Sequence, residues 1–154
     1  MQLAKELAMT MRVGYCSFEE QGKMSMQTHM AIHHMAECGS RFRVFPDETI
    51  MDLQNRLDKR RSSEIVFIDS LQHAQMGRGQ YNAFKKRYRD KLIVFVSHAE
   101  GKNPEGSLAK FIKYDATVKI WVEGFKAFAG GRVQGIKPYV IYEKEAEKYW
   151  GGEK

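Results

Sequence analysis

Two short stretches constrain this chain more than any other feature. Glu64-Ile-Val-Phe-Ile-Asp69 and Leu92-Ile-Val-Phe-Val-Ser97 are continuous apolar runs, each closed by a polar residue. A strand with one wet face alternates polar and apolar residues. An unbroken run of β-branched and aromatic residues buries both faces, as strands inside a parallel sheet do. Parallel neighbours need a crossover of a dozen or more residues, usually helical. Residues 79–90, between the two runs, read as that helix and carry much of the positive charge.

The remaining pattern alternates in the same way. Residues 1–11 read as a helix with Leu3, Leu7 and Met11 at four-residue spacing. It has neither a capping residue nor a preceding strand, so it reads as a helix whose start is missing. Residues 13–18 read as a strand, 23–37 as a Met-rich helix and 42–45 as a short strand. Asp47 can cap a helix over 48–60, because its carboxylate accepts an orphan N–H. After a Gly/Pro loop at 98–106 and a helix at 107–114, segments 117–123, 126–129 and 139–143 read as strands, with Gly130-Gly131 and Gly135 as turns. The expected fold is therefore α/β: a three-layer, mostly parallel sheet flanked by helices, with an antiparallel hairpin near the C-terminus. One domain over 1–143 and a charged tail over 144–154 that frays are expected.

Composition removes several classes. With 154 residues, 43% hydrophobic and 29% charged, the chain is globular rather than disordered. No run approaches the ~18 apolar residues of a membrane span, so no membrane partner is expected. Residues 1–11 lack the apolar core and cleavage site of a signal peptide. Two cysteines, Cys16 and Cys38, make neither a disulfide framework nor a four-Cys zinc site, and a reduced, cytoplasmic location is the default. Lys plus Arg is 25 against 19 Asp plus Glu, a net charge of +6 that permits a nucleic-acid partner without requiring one.

Chemistry in α/β proteins gathers just past the carboxyl ends of parallel strands. Three polar sites stand there: Glu19 or Glu20, Asp69, and Ser97-His98. Four apolar residues followed by Asp is the Walker B pattern, in which the strand is buried and the tip carboxylate holds Mg²⁺ directly or through water. A strand ending in Asp serves equally as a helix cap or a turn.

The order of the pieces sharpens this. Tyr15-Cys-Ser-Phe-Glu19, Ile65-Val-Phe-Ile-Asp69, Val94-Phe-Val-Ser-His98 and Gly106-Ser-Leu108, followed by Tyr114-Asp-Ala-Thr-Val-Lys-Ile-Trp-Val122, resemble the RecA/DnaB-like P-loop ATPases over residues 3–142. The resemblance implies that Glu19 polarises the attacking water, that Asp69 is the Walker B aspartate on Mg²⁺, and that Ser97 and His98 stand at the sensor. It implies Arg132 as an arginine finger, with Gly130 where the family has a second cation. Mg-ATP is the family's cofactor, and a ring or filament of identical subunits on single-stranded DNA is its assembly. The family's Gly-x-x-x-x-Gly-Lys-Ser/Thr loop has no match in these residues, and 1–11 resemble the helix that follows it. The chain thus reads as a truncated or divergent ATPase domain of DNA replication or recombination that does not hold ATP tightly by itself. The alternative is a non-enzymatic, basic DNA-binding or assembly module that keeps the fold. In the family the phosphate-loop strand lies between the sensor strand and the next one. Its absence predicts that 92–97 and 117–123 close on each other, with Val94 and Ile120 on hydrogen-bonded neighbours.

Other clusters allow two readings each. His29, His33 and Glu37 at i, i+4, i+8 could ligate a metal or form a solvated helix face. Met24, Met26, Met30 and Met35 read as packing atoms. Arg56, Lys59, Arg60 and Arg61 read as a solvated helix end, where cations suit the macrodipole. Lys85, Lys86, Arg87, Arg89 and Lys91 form a denser cluster that suits either solubility or phosphate contact. Loops 70–80 and 99–107 carry His73, Arg78 and Lys102 among glycines, which suits tracking of a single strand or an ordinary loop. Arg12, Cys16 and Cys38 carry no functional signal.

Overall fold

A computed structural model describes residues 1–18, 23–46, 48–132 and 137–151. They fall into two compact units, Met1–Ala99 and Glu100–Lys154. The protein is mixed α/β, with a four-stranded parallel sheet flanked by helices and a three-stranded antiparallel sheet. Among the described residues no helix is long and apolar enough to cross a membrane.

The first unit runs α1 (Gln2–Ala8), β1 (Val13–Ser17), α2 (Lys23–Ile32), a 3₁₀ segment (Met35–Arg41), β2 (Phe42–Pro46), α3 (Ile50–Leu57), β3 (Ile65–Asp69), α4 (Arg78–Arg87) and β4 (Leu92–Phe95). The strand order is β2-β1-β3-β4, and each ladder is parallel. In register, Val13 faces Phe42 and Ile65, and Ile65 faces Leu92. Side chains alternate across a strand, which sorts the core into two faces. Val13, Tyr15, Phe42, Ile65 and Phe67 cluster with Ala4 and Ala8 of α1, Met26 of α2, and Met35 and Cys38 of the 3₁₀ segment. On the other parity stand Cys16, Phe45, Val66, Ile68 and Phe95. There the Tyr81 ring of α4 lies 5.6 Å from Phe95, and Arg56 of α3 lies 4.7 Å over Phe45. Gly14 is required for space, since a Cβ there would stand 2.6 Å from the Phe45 ring and 2.8 Å from the Ser63 hydroxyl. Burial pushes the Cys16 thiol up to about 12.

Several sequence expectations change. The buried face of α1 is Ala4 and Ala8, both 0% exposed, while Leu3 and Met11 are exposed. Small side chains let this helix lie close to the sheet. The helix expected over 23–37 stops at Ile32. His34 takes a left-handed φ of 50° and the chain continues as a 3₁₀ segment. His29, His33 and Glu37 therefore share no helix face, and Glu37 pairs with Lys5 at 2.8 Å. Met26 and Met35 are buried and Met30 packs against the core, but Met24 is exposed. The cap expected at Asp47 lies outside the described residues. Thr49 caps α3, accepting from Asp52 N at 3.2 Å while its own N–H donates to Asp52 Oδ2 at 3.0 Å. That helix ends at Leu57, so Lys59, Arg60 and Arg61 belong to the following turn.

The second unit begins within a two-residue ladder of β5 (Ala99–Glu100) with β6 (Asn103–Pro104). It contains α5 (Ser107–Asp115), β7 (Val118–Glu123), β8 (Lys126–Gly131), β9 (Tyr139–Val140) and α6 (Glu143–Trp150). The charged end is thus helical over 143–150. The tight turn falls at Gly124-Phe125, both at positive φ, and not at Gly130-Gly131, which close β8. Gly135 lies outside the described residues. Trp150 Nε1 donates to Gly124 O at 2.9 Å, which ties α6 to the turn.

The direct closure expected between 92–97 and 117–123 does not occur. β4 pairs with β3, and β7 pairs with β8 in the antiparallel sheet, so Val94 and Ile120 lie in different sheets. A two-residue turn brings β8 to β7 at little loop-closure cost, whereas a distant parallel partner must first order a long connection.

Candidate functional site

The strand order fixes where a ligand can meet the first unit. From β1 the chain moves to β2 on one side, then crosses to β3 on the other and continues to β4. The strand order thus reverses between β1 and β3, and parallel sheets bind ligands outside the carboxyl ends of the strands at such a point. Ser17 and Asp69 are register partners at that point. Asp69 shares its face with Tyr15, whose ring stacks 5.5 Å from Phe67 and whose hydroxyl donates to Asp69 Oδ2. The Asp69–Ser70 peptide is cis. The chain beyond it turns under the end of β4. There Ser70 Oγ lies 2.8 Å from His73 Nδ1, and Leu71 N donates to Val96 O at 2.8 Å.

Gln72 joins the two strand ends. Its Nε2 donates to Ser97 Oγ at 2.8 Å, and its Oε1 accepts from His98 N at 3.2 Å. Ser97 Oγ in turn donates to His98 O at 2.9 Å. The His73 and His98 rings meet edge to face, 5.8 Å apart. Asp69, Ser97 and His98 are each half-buried, which leaves them reachable from solvent. The α1 side also reaches this edge: burial lowers the Met1 amino group from its ordinary value, and the Asp69 charge partly offsets this.

The donor set is one of hard oxygens. Asp69 Oδ1 and the Ser97 hydroxyl suit Mg²⁺, which takes one or two protein oxygens and completes its shell with water and substrate phosphates. These residues fit such an ion only jointly with a phosphate ligand. No group of three or more His, Cys, Asp or Glu gathers among the described residues.

The structure brings Asp69, Ser97 and His98 to one edge. Glu19 lies outside the described residues. Arg132 and Lys102 belong to the second unit. Arg132 N donates to Thr117 O at 2.9 Å after β8, and Lys102 sits between β5 and β6 with its carbonyl accepting from Lys113 Nζ at 3.2 Å. Arg78 opens α4, and Lys85, Lys86 and Arg87 close it. Lys85 lies 5.8 Å over the Tyr81 ring. Arg87 is engaged by Asp58 at 2.5 Å, so its guanidinium is not available to a phosphate without breaking that pair. Gln72 carries no signal in the sequence beyond its place three residues after the strand-ending Asp. Its role exists only because β3 and β4 are neighbours.

No protein-family model matches the chain, and no curated protein sequence matches it.

Proposed function

We propose that the first unit is the core of a divergent RecA/DnaB-like ATPase linked to DNA replication or recombination. In this reading Asp69 serves Mg²⁺, and Ser97 and His98 respond to the terminal phosphate. The observation that carries the reading is the adjacency of a Walker-B-like strand and a sensor-like strand, with Gln72, three residues past Asp69, bonded to both Ser97 and His98. With Mg-ATP bound, the ion would neutralise phosphate charge while Asp69 orients it. No Gly-Lys-Ser/Thr loop stands among these residues to cradle the phosphates. Nucleotide affinity is accordingly expected to be millimolar at best, about −4 kcal/mol of binding, with no hydrolysis by this chain alone.

Amide shift mapping by NMR with Mg-ATP tests this. Shifts centred on Asp69, Ser97 and His98 with millimolar affinity, lost in Asp69→Asn, are expected. Shifts centred elsewhere overturn the site, and micromolar binding overturns the weak-nucleotide reading.

A further inference from the structure

The amino edge of the same sheet carries a second feature. A parallel sheet collects the amino ends of all its strands on one side, so residues that precede different strands meet there. Arg12 precedes β1, Arg41 precedes β2, and the turn after α3 precedes β3. Around them lies a concavity of about 200 Å³ whose lining holds seven cationic side chains and no acidic one.

Three of the cations are held in place. Arg12 Nε donates to Ser62 O at 3.1 Å and its Nη2 lies 3.4 Å from Glu64. Arg41 Nε donates to Ala8 O at 2.9 Å, and Arg56 is paired with Glu48 over the Phe45 ring. The other four, Arg43, Lys59, Arg60 and Arg61, are exposed and meet no carboxylate among the described residues. Like charges gathered on one concave surface attract an anion. Arg61 adds a conformational cost: its φ is 61°, a left-handed state that glycine takes freely and arginine does not.

The chemistry of the lining selects phosphate. Arginine forks bind phosphate oxygens in pairs, and Ser40, Ser62 and Ser63 add hydroxyls. Its size suits a phosphate group and not a whole nucleotide. Sites that enclose a whole small molecule measure about 300–1,000 Å³, more than is available here. The cationic surface also continues beyond the concavity, because Lys91 Nζ donates to Ser62 Oγ at 3.0 Å and to Ser63 O at 2.9 Å beside the basic end of α4. Bases gain no free stacking platform, since Arg56 covers Phe45 and Arg87 lies 5.8 Å from the Tyr88 ring.

We infer that this amino-edge concavity binds the phosphodiester backbone of a nucleic acid, without base readout. The inference is independent of the nucleotide reading, which concerns the opposite edge.

The test is fluorescence anisotropy of the full chain with a labelled oligo-dT, without nucleotide or Mg²⁺, across a salt series. Wild-type binding should weaken with salt by a log–log slope of about −0.7 per phosphate contact. The triple variant Arg43→Gln, Arg60→Gln, Arg61→Gly should bind about tenfold more weakly, with a slope shallower by about two. Its melting temperature should hold, since glycine relieves the left-handed residue. If the triple variant does not fold, Arg60→Gln alone, in an exposed turn, should make the slope shallower by about 0.7. A charge-matched triple in the second unit, Lys110→Gln, Lys144→Gln, Lys148→Gln, should change affinity by about twofold or less. Equal losses in both triples would reduce the effect to net charge and overturn the site, and so would absence of binding at low salt. Binding of tripolyphosphate that the Arg43/Arg60/Arg61 variant loses, with oligo-dT affinity unchanged, would assign the concavity to free phosphate and overturn the nucleic-acid assignment.

Discussion

Strands β3 and β4 are nearly the same as sequence, Ile-Val-Phe-Ile-Asp against Leu-Ile-Val-Phe, yet they differ in burial. Ile65, Val66 and Ile68 are 0% exposed, whereas Leu92 is 50% exposed and the rest of β4 is half-buried. β3 has a strand on each side. β4 has β3 alone, among the described residues. An apolar run therefore specifies that a strand can be internal, while strand order decides whether it is. An edge with bare apolar positions is also a template for further pairing.

The largest effect should separate these two strands. Ile68→Ala removes fully buried atoms and leaves a cavity, so a loss of about 2–5 kcal/mol is expected in urea unfolding of the full chain. Val94→Ala, at a half-buried position, should cost about 1 kcal/mol. Equal losses would mean that something covers β4 in solution and would break the comparison.

A smaller effect tests the open edge itself. Leu92→Lys should leave stability within about 0.5 kcal/mol. It should also reduce self-association in sedimentation velocity, because a lysine on an edge strand discourages pairing. A larger loss of stability would reveal a partner packed on Leu92.

The smallest effect is in pH, and it acts through α4, which covers β4 with Tyr81. Arg87 of that helix donates to Asp58 just past α3, and the Tyr88 hydroxyl donates to the same carboxylate at 3.0 Å. The Arg87 hydrogen bond holds the Asp58 carboxyl below its ordinary value, with Tyr88 adding to it. A lowered carboxyl stabilises the fold above the unfolded value, about 4, and that contribution is lost as pH falls through the folded value. Burial and the Asp58 contact push Tyr88 up to about 12. Its contribution is complete below about pH 10 and is lost as pH rises toward 12. Hydrogen exchange between pH 5 and 3 should therefore show protection of β4 amides falling relative to β3. An unchanged ratio would show that the Asp58–Arg87 pair does not hold α4 down.

Much of the candidate carboxyl-edge site is legible in the sequence, because an apolar run and its terminal polar residue are adjacent along the chain. Asp69, Ser97 and His98 are found that way, and the parallel sheet brings them together. Gln72 is not legible, since its two hydrogen bonds exist only where β3 and β4 lie side by side. The break after Ile32 escapes a periodicity argument as well. Residues 23–37 keep a helix-like pattern, but the chain must turn at His34 to place Met35 and Cys38 against the sheet.

What the sequence determined by itself is local: the apolar runs that become β1, β3 and β4, the helical crossover between β3 and β4, and the polar residues at strand tips. Tertiary structure alone decided the order β2-β1-β3-β4, the pairing of β7 with β8 instead of β4, and the cationic concavity. Arg12 carries no signal as a residue, and Lys59, Arg60 and Arg61 read as a solvated helix end. They share one surface because α3 ends at Leu57 and parallel strands set their amino ends on a common edge. Periodicity and turn chemistry act between residues a few positions apart, whereas strand order and the meeting of strand ends are fixed by ladders between residues tens of positions apart.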